Sequence, residues 1–311
     1  MKKIGLAIHG GAGTIRRSTM SRILEKEYIK GLKNSLVAGW KVISKGGSSL
    51  DAVCESVVIL ENNPLFNAGK GSVFTNEGKN EMDAAIMDGR NLESGAIAGV
   101  MGIKNPILLA KEIMQKSEFA FLSGNGAEKF AKKMKLQSEN EKYFFTQKRW
   151  EQLQKAKKSG KAFLDHTDFD KNLKNKYYGT VGAVALDQHG NLAAATSTGG
   201  MTNKMFGRIG DSPLNGIGNY ANNKTAAISC TGSGEYFIKL TVAFRISALM
   251  EYKKLSLKKA VEQVILKELV KINGDGGVIA IDNKGNINLT FNSEGMYRGS
   301  MNDSETFIGI Y

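Results

Sequence analysis

Apolar residues alternate with others over residues 3–9, placing Ile4, Leu6 and Ile8 on one face, and this predicts a first β-strand. A GGAG turn follows. From about 20 to 45 the spacing changes to that of a helix, with Ile23, Leu24, Tyr28, Leu32, Leu36, Val37 and Trp40 near a 3.6-residue period. Gly46–Gly47 ends it. Ser48 and Asp51 have the spacing of a capping box for a second helix, 49–62, which stops at Asn62–Asn63–Pro64. The Gly-rich stretch LFNAGKGSVFTNEGK reads as a loop. MDAAIMDG and ESGAIAGVMGI, joined by GRNL, read as a hairpin. Pro106 opens a short helix, where its missing N–H costs nothing. GNGAEKFAKKMK and TQKRWEQLQKAKK predict two more helices.

Residues 158–178 lose both periodicity and apolar content, and a polar linker of about 155–178 is expected. The pattern then returns sharply. TVGAVALDQHGNLAAATST predicts strand, turn and strand, and GGVIAIDNKGNINLTF repeats that plan. Asp187, Gly190 and Asn191 match Asp282, Gly285 and Asn286 at a constant offset. Two long helices, about 234–253 and 256–271, lie between the repeats. Strands, helices, then strands again point to an α+β fold of antiparallel sheets layered with helices. Neither half has a self-contained pattern, so residues 1–311 are expected to form one domain.

Composition narrows the function classes. The 311 residues are 41% hydrophobic and 23% charged, the proportions of a globular chain. No run approaches the ~18 apolar residues of a membrane helix. The apolar start of MKKIGLAIHGG is shorter than a secretory signal requires. Cys54 and Cys230 form neither a disulfide framework nor a CxxC metal pattern, so a cytoplasmic setting is expected. The net charge of +13 invites a nucleic-acid reading, but residues 101–180 hold 17 Lys/Arg against 9 Asp/Glu. Most of the excess therefore belongs to one solvated segment that carries no nucleic-acid motif.

Familiar catalytic signatures are missing: no HExxH, no GxSxG and no GxxxxGK[ST]. His166 falls in the linker and His189 in a hairpin turn. Pairing of Cys230 with His9 is weak beside the reading of Cys230 as a small buried hydrophobe. Three hydroxyl residues say more. Thr180 follows Gly179 where the linker meets a strand, Thr198 ends the paired strand in TSTGG, and Thr231 stands in CTGSGE before a helix. A polar linker running into Gly–Thr suits a self-cleaving precursor. Cleavage would free the Thr180 amine, whose pKa of roughly 7.7–8 makes it a base for its own hydroxyl, with no histidine required.

These residues carry a resemblance that spans nearly the whole chain. HGGAGT at 9–14, NPLFNAGKGSVF at 63–74, GTVGAVALD at 179–187 and TSTGGMTNK at 196–204 are similar, in order, to blocks of the plant-type L-asparaginases, also called isoaspartyl peptidases. So are GRIGDSPLNGIGNYANN at 207–223, CTGSGE at 230–235 and FNSEGMYRG at 291–299. The family belongs to the N-terminal-nucleophile hydrolases. The resemblance implies a four-layer αββα sandwich, cut between Gly179 and Thr180 into an α-subunit 1–179 and a β-subunit 180–311, assembled as an (αβ)2 heterotetramer. It implies Thr180 as nucleophile, Thr198 holding it by a hydrogen bond, Thr231 and Gly232 as the oxyanion hole, and Asn67 lining the nucleophile's side. Arg208 and Asp211 would take the substrate α-carboxylate and α-ammonium, with Ile209, Gly210, Ser233 and Gly234 around them.

Elementary chemistry agrees with those roles. Arg offers a fork to a carboxylate, Asp the opposite charge to an ammonium, and glycines let backbone amides approach a small ligand beside a helix N-terminus. No cofactor is expected for the chemistry. A structural sodium is implied on main-chain carbonyls of Leu60, Glu61, Asn63, Phe66, Ala68 and Lys70, where a helix end leaves carbonyls without partners. The expected activity is hydrolysis of β-aspartyl dipeptides and L-asparagine, with no nucleic-acid or membrane partner. The rival readings are a glycosylasparaginase-like amidase and an unprocessed amino-acid-binding protein.

Overall fold

The computed structural model describes residues 3–159 and 179–311. Its strands are β1 (Gly5–Gly13), β2 (Met82–Asp88), β3 (Ser94–Val100), β4 (Phe121–Ser123), β5 (Thr180–Leu186), β6 (Leu192–Thr198), β7 (Asn219–Ala221), β8 (Ala226–Gly232), β9 (Gly276–Asp282), β10 (Ile287–Phe291), β11 (Gly295–Asn302) and β12 (Thr306–Gly309). The first helices are α1 (Arg22–Ser44), α2 (Ser49–Glu61), α3 (Pro106–Lys116), α4 (Gly124–Lys133), α5 (Glu141–Phe144) and α6 (Gln147–Ser159). After them come α7 (Gly234–Leu240), α8 (Val242–Lys253), α9 (Leu257–Val261) and α10 (Leu269–Lys271). One sheet runs β12-β11-β1-β5-β6-β2-β3-β4, the other β10-β9-β8-β7. All pairings are antiparallel except β3 with β4. The expected α+β architecture of mainly antiparallel sheets is therefore observed.

The helix starts follow their caps. Ser21 accepts from the Leu24 amide, and Ser48 accepts from the Asp51 amide at 3.1 Å while donating to the Asp51 carboxylate at 2.6 Å. The region expected as one helix over 234–253 is two, because Thr241 adopts φ 49°, ψ 52° and breaks the helix between α7 and α8. The helix expected over 256–271 runs through a π-helical segment, Glu262–Glu268, between α9 and α10. Residues 155–159 of the expected linker continue α6; the rest of it, 160–178, lies outside the described residues.

The offset repeat is a repeated turn. Asp187 Oδ1 accepts from the amides of His189 and Asn191, and Asp282 Oδ1 accepts from those of Lys284 and Asn286. Gly190 and Gly285 hold φ of 85° and 81°, which a side chain would resist. The same five-residue device thus closes the β5–β6 hairpin in one sheet and β9–β10 in the other.

Strand periodicity sorts the core into three clusters. Leu6 and Ile8 of β1 and Val181, Ala183 and Ala185 of β5 pack with α1, α2 and α3. Their alternates, Ala7, Val184, Leu186 and Ala194, meet Ala227, Ile279 and Ile281 of the second sheet. The second sheet's other face, with Ile228, Cys230, Val278 and Ala280, packs on α7 through α10. Strands β5 and β6 read as almost unbroken apolar runs because both of their faces are covered, and the alanines of β6 let the layers approach closely. Thr180 opens the central strand β5 at the edge of this packing.

Candidate active site

Strand register builds the site first. Thr180 lies directly across from Thr198 on β6, and Thr198 lies across from Asp83 on β2. Three polar residues on neighbouring strands therefore share one end of the large sheet and one face of it. The segment after β6 carries Gly200, Arg208, Asp211 and Ser212 past this row, and β8 of the second sheet brings Gly232. Together with Gly179 and Gly210 these residues line one cleft.

The hydrogen bonds at the Gly179–Thr180 peptide are well defined. The Thr198 hydroxyl donates to the Gly179 carbonyl at 3.0 Å and accepts from the Gly200 amide at 3.0 Å. The Thr180 hydroxyl faces the Ser212 hydroxyl at 3.0 Å. The hydrogen bond expected between Thr198 and Thr180 thus goes instead to the carbonyl just before Thr180, and the Thr180 hydroxyl meets Ser212. The reason is geometric: while the peptide is intact, the Gly179 carbonyl is the strong acceptor within reach of Thr198.

Behind the strand stands His9, fully buried. Its Nδ1 lies 2.8 Å from the Thr180 carbonyl and its Nε2 2.8 Å from the Ser229 hydroxyl. A carbonyl only accepts, so Nδ1 carries the proton. Burial pushes the imidazole down to about 3, so the ring is neutral at any working pH. A side chain on Gly182 would collide with both Ser229 and His9, which explains the glycine there.

Arg208 and Asp211 are brought to the same cleft. Arg208 directs Nε and Nη2 to one carboxylate oxygen of Glu235, at 3.0 and 2.9 Å. Asp211 is buried, and its Oδ2 has no hydrogen-bond partner among the described residues. Burial raises its carboxyl from an ordinary 3.8 to about 7, although Arg208 pulls the other way. Gly234 leaves room for both, since a Cβ there would crowd Arg208 Nη2 and Asp211 Oδ1.

That buried carboxyl has a consequence for stability. Below about 3.8 it is protonated in both folded and unfolded chains and makes no difference. Between 3.8 and about 7 the unfolded chain ionises first, so the fold loses stability as pH rises. Above 7 the loss is complete, at up to about 4 kcal/mol for a rise of this size. Asp211→Asn should therefore raise the melting temperature at pH 8, raise it less at pH 5, and leave it unchanged near pH 3.5. A melting temperature at pH 8 equal to or below that of the parent chain would refute this.

The remaining expected residues stand further back. Thr231 Oγ1 is buried and accepts from the Ala12 amide at 3.2 Å. The Ser233 hydroxyl donates to the Asp275 carboxylate at 3.0 Å, while Ile209 is exposed. Asn67 donates to the Gly200 carbonyl at 2.8 Å and accepts from the Val73 amide at 2.9 Å, so it braces the turn beneath the cleft. Helix α7 has only seven residues, a shorter dipole than the long helix expected there.

Sequence reasoning missed Asp83, Ser212 and His9. Asp83 is buried, accepts from the Gly99 amide, and keeps Oδ2 without a partner among the described residues. An acid near the start of the apolar strand MDAAIMDG was a signal for it. Ser212 and His9 lie within the blocks GRIGDSPLNGIGNYANN and HGGAGT, but only strand pairing and a loop show that they meet Thr180.

Around the Gly-rich loop, Leu60, Asn63, Phe66 and Ala68 each accept one amide hydrogen bond through their carbonyls and keep a second lone pair. Gly69 (φ 51°) lies against the Glu61 carbonyl and Gly71 against that of Phe66, where a Cβ could not fit. The Glu61 side chain is turned elsewhere, accepting from Ser197, Asn105 and the Ile107 amide. Buried Arg149 donates to the carbonyls of Leu65 and Gly71. Backbone carbonyl oxygens with a spare lone pair are the kind of hard donor a sodium ion takes. No cluster of three His, Cys, Asp or Glu suited to a metal occurs among the described residues.

A family profile described as Asparaginase matches residues 1–309. The chain belongs to the asparaginase family. An isoaspartyl peptidase from Escherichia coli is 50% identical over 100% of this chain and 97% of its own. A plant-type L-asparaginase from Pyrococcus abyssi is 40% identical over 98% of this chain and 100% of its own. An isoaspartyl peptidase/L-asparaginase from Xenopus laevis is 39% identical, covering 98% and 94%. As expected from the sequence, this asparaginase-family chain resembles the relatives named isoaspartyl peptidase and plant-type L-asparaginase along its whole length.

Proposed function

We propose that the protein hydrolyses β-aspartyl dipeptides and L-asparagine, releasing L-aspartate, after cutting itself between Gly179 and Thr180. One observation carries this reading: the Gly179–Thr180 peptide lies in the same cleft as Arg208 and Asp211. A binding protein would need the last two but not the threonines.

In the reaction the freed Thr180 amine takes the proton of the Thr180 hydroxyl, which attacks the substrate side-chain carbonyl. Arg208 grips the α-carboxylate. The unpartnered Oδ2 of Asp211 receives the ammonium, and that positive charge lowers the Asp211 carboxyl back into its ionised form. Thr231 and the Gly232 amide stabilise the oxyanion, a contribution of about 10²–10³ in rate per donor. Ammonia or the downstream amino acid leaves, and water opens the β-aspartyl ester. Thr198 loses its Gly179 partner on cleavage and turns to the Thr180 hydroxyl. His9, neutral and bonded to the Thr180 carbonyl, fixes the strand at the nucleophile and takes no proton.

The three core clusters support a four-layer αββα sandwich built as one unit. Both cysteines are buried free thiols, in keeping with a reducing cytoplasm. An (αβ)2 assembly goes with this reading. An intact-mass spectrum of the purified chain, combined with aspartate release from β-aspartyl dipeptides and from asparagine, tests the proposal. Two fragments with Thr at the new N-terminus and release from both substrates are expected; an uncut chain without aspartate release refutes it.

The Leu60–Lys70 carbonyls would hold a sodium ion whose role is structural, pinning the loop that carries Asn67. Melting in NaCl should exceed melting in choline chloride at equal ionic strength, by a few degrees, because a ligand bound only by the folded chain stabilises it. Equal melting temperatures would remove the ion from the account.

A further inference from the structure

We infer that Ser212 is the hydroxyl that relays the proton of Thr180 during self-cleavage. The inference rests on the self-cleavage reading above and supplies what that reading lacks. Before the cut the Thr180 nitrogen is an amide, so the amine that serves the mature enzyme cannot act as its base.

The proton bookkeeping of the first step is neutral. The Thr180 oxygen forms a bond to the Gly179 carbonyl carbon, the carbon–nitrogen bond breaks, and an ester and an amine result. One proton leaves the Thr180 oxygen and one arrives at the Thr180 nitrogen. A group that accepts the first proton while giving up its own satisfies the balance without an ionised base. A hydroxyl is such a group.

Ser212 is the hydroxyl in place. Its oxygen lies 3.0 Å from Thr180 Oγ1, and both residues are buried. The Ser212 backbone is held from the other side: its carbonyl accepts from the Thr196 hydroxyl at 2.7 Å, and that hydroxyl accepts from the Asn219 side-chain Nδ2 at 2.7 Å. Pro213 further restricts the Ser212 backbone. Of the nearby groups, Thr198 and His9 are engaged elsewhere. Thr198 donates to the Gly179 carbonyl, where negative charge develops, and neutral His9 faces the Thr180 carbonyl, beyond the bond that breaks. Ser212 thus handles the proton while Thr198 stabilises the oxyanion.

The test follows the uncut fraction by intact mass after rapid purification. Proton-transfer assistance of this kind contributes roughly 10²–10⁴-fold. Ser212→Ala should therefore cleave at least ~100-fold more slowly than the parent chain. Ser212→Thr, which keeps a hydroxyl, should cleave within ~10-fold of it. The parent's rate in H2O/D2O mixtures should fall along a curve, since two protons move together. Thr180→Ala, equally uncut, provides the melting temperature against which the Ser212→Ala fold is judged.

Cleavage of Ser212→Ala at nearly the parent rate would overturn the assignment. So would a Ser212→Thr chain that melts normally yet stays uncut, or a linear isotope dependence. Should Ser212→Ala melt far below Thr180→Ala, the threonine variant and the isotope curve still decide. A parent chain that never cleaves sinks the self-cleavage reading itself, whereas a cleaving Ser212→Ala sinks only the role of Ser212.

Discussion

Thr180→Ala should stay a single 33.7 kDa chain and release aspartate at least ~10⁴-fold more slowly than the parent protein. Two losses combine in it. The alanine has no oxygen to attack the Gly179 carbonyl, so the chain is not opened. It has none to attack a substrate either. The fold should survive, because Thr180 contributes one hydroxyl–hydroxyl contact to the site, and its strand is held by β1 and β6 on either side. Thr180→Ser separates the two losses from simple damage. It retains the hydroxyl and should both cut and turn over, more slowly because the missing methyl leaves the side chain freer to rotate. Activity surviving in an intact Thr180→Ala chain would overturn the nucleophile assignment.

Much of the scaffold could be read along the chain because the signals are local. Helices α1 and α2 have strong periodicity and serine caps, and they end within a residue or two of the expected positions. The Asp-x-x-Gly-Asn turns repeat in sequence and repeat in structure. The reading failed where geometry depends on distant parts. Nothing near Thr241 announces a left-handed residue that splits a helix. Strand β11 is legible only through its pairing with β1, which lies at the other end of the chain, and β12 only through its pairing with β11. The site divides in the same way. Thr180, Arg208 and Asp211 stand in short, dense motifs. The row Thr180–Thr198–Asp83 exists only once β5, β6 and β2 are paired, and the partner of the Thr180 hydroxyl comes from a loop. A motif names the residues, but strand register decides which hydroxyl meets which.

Arg208→Lys is the second large effect, and its sign follows from how the guanidinium is already used. Arg208 presents two donors, Nε and Nη2, in the same direction, and both converge on a single oxygen of Glu235. Glu235 is half-exposed and able to yield. A substrate α-carboxylate offers two oxygens at the spacing of that fork, so it can take both bonds where Glu235 takes them with one atom. Lysine keeps the charge and loses the fork. One charge-assisted hydrogen bond is worth about 1.5–3 kcal/mol, so kcat/KM should fall by roughly 10–150-fold. Asparagine and β-aspartyl dipeptides should suffer alike, since they share the α-carboxylate, and cleavage at Thr180 should proceed because no carboxylate is gripped in that step. A substrate whose α-carboxylate is replaced by a carboxamide supplies the control. Both proteins should process it poorly and nearly equally, because the fork has no charged partner to lose. If the lysine variant instead lost the same factor on the carboxamide, the defect would lie in the loop's shape, and Arg208 would not be the carboxylate anchor.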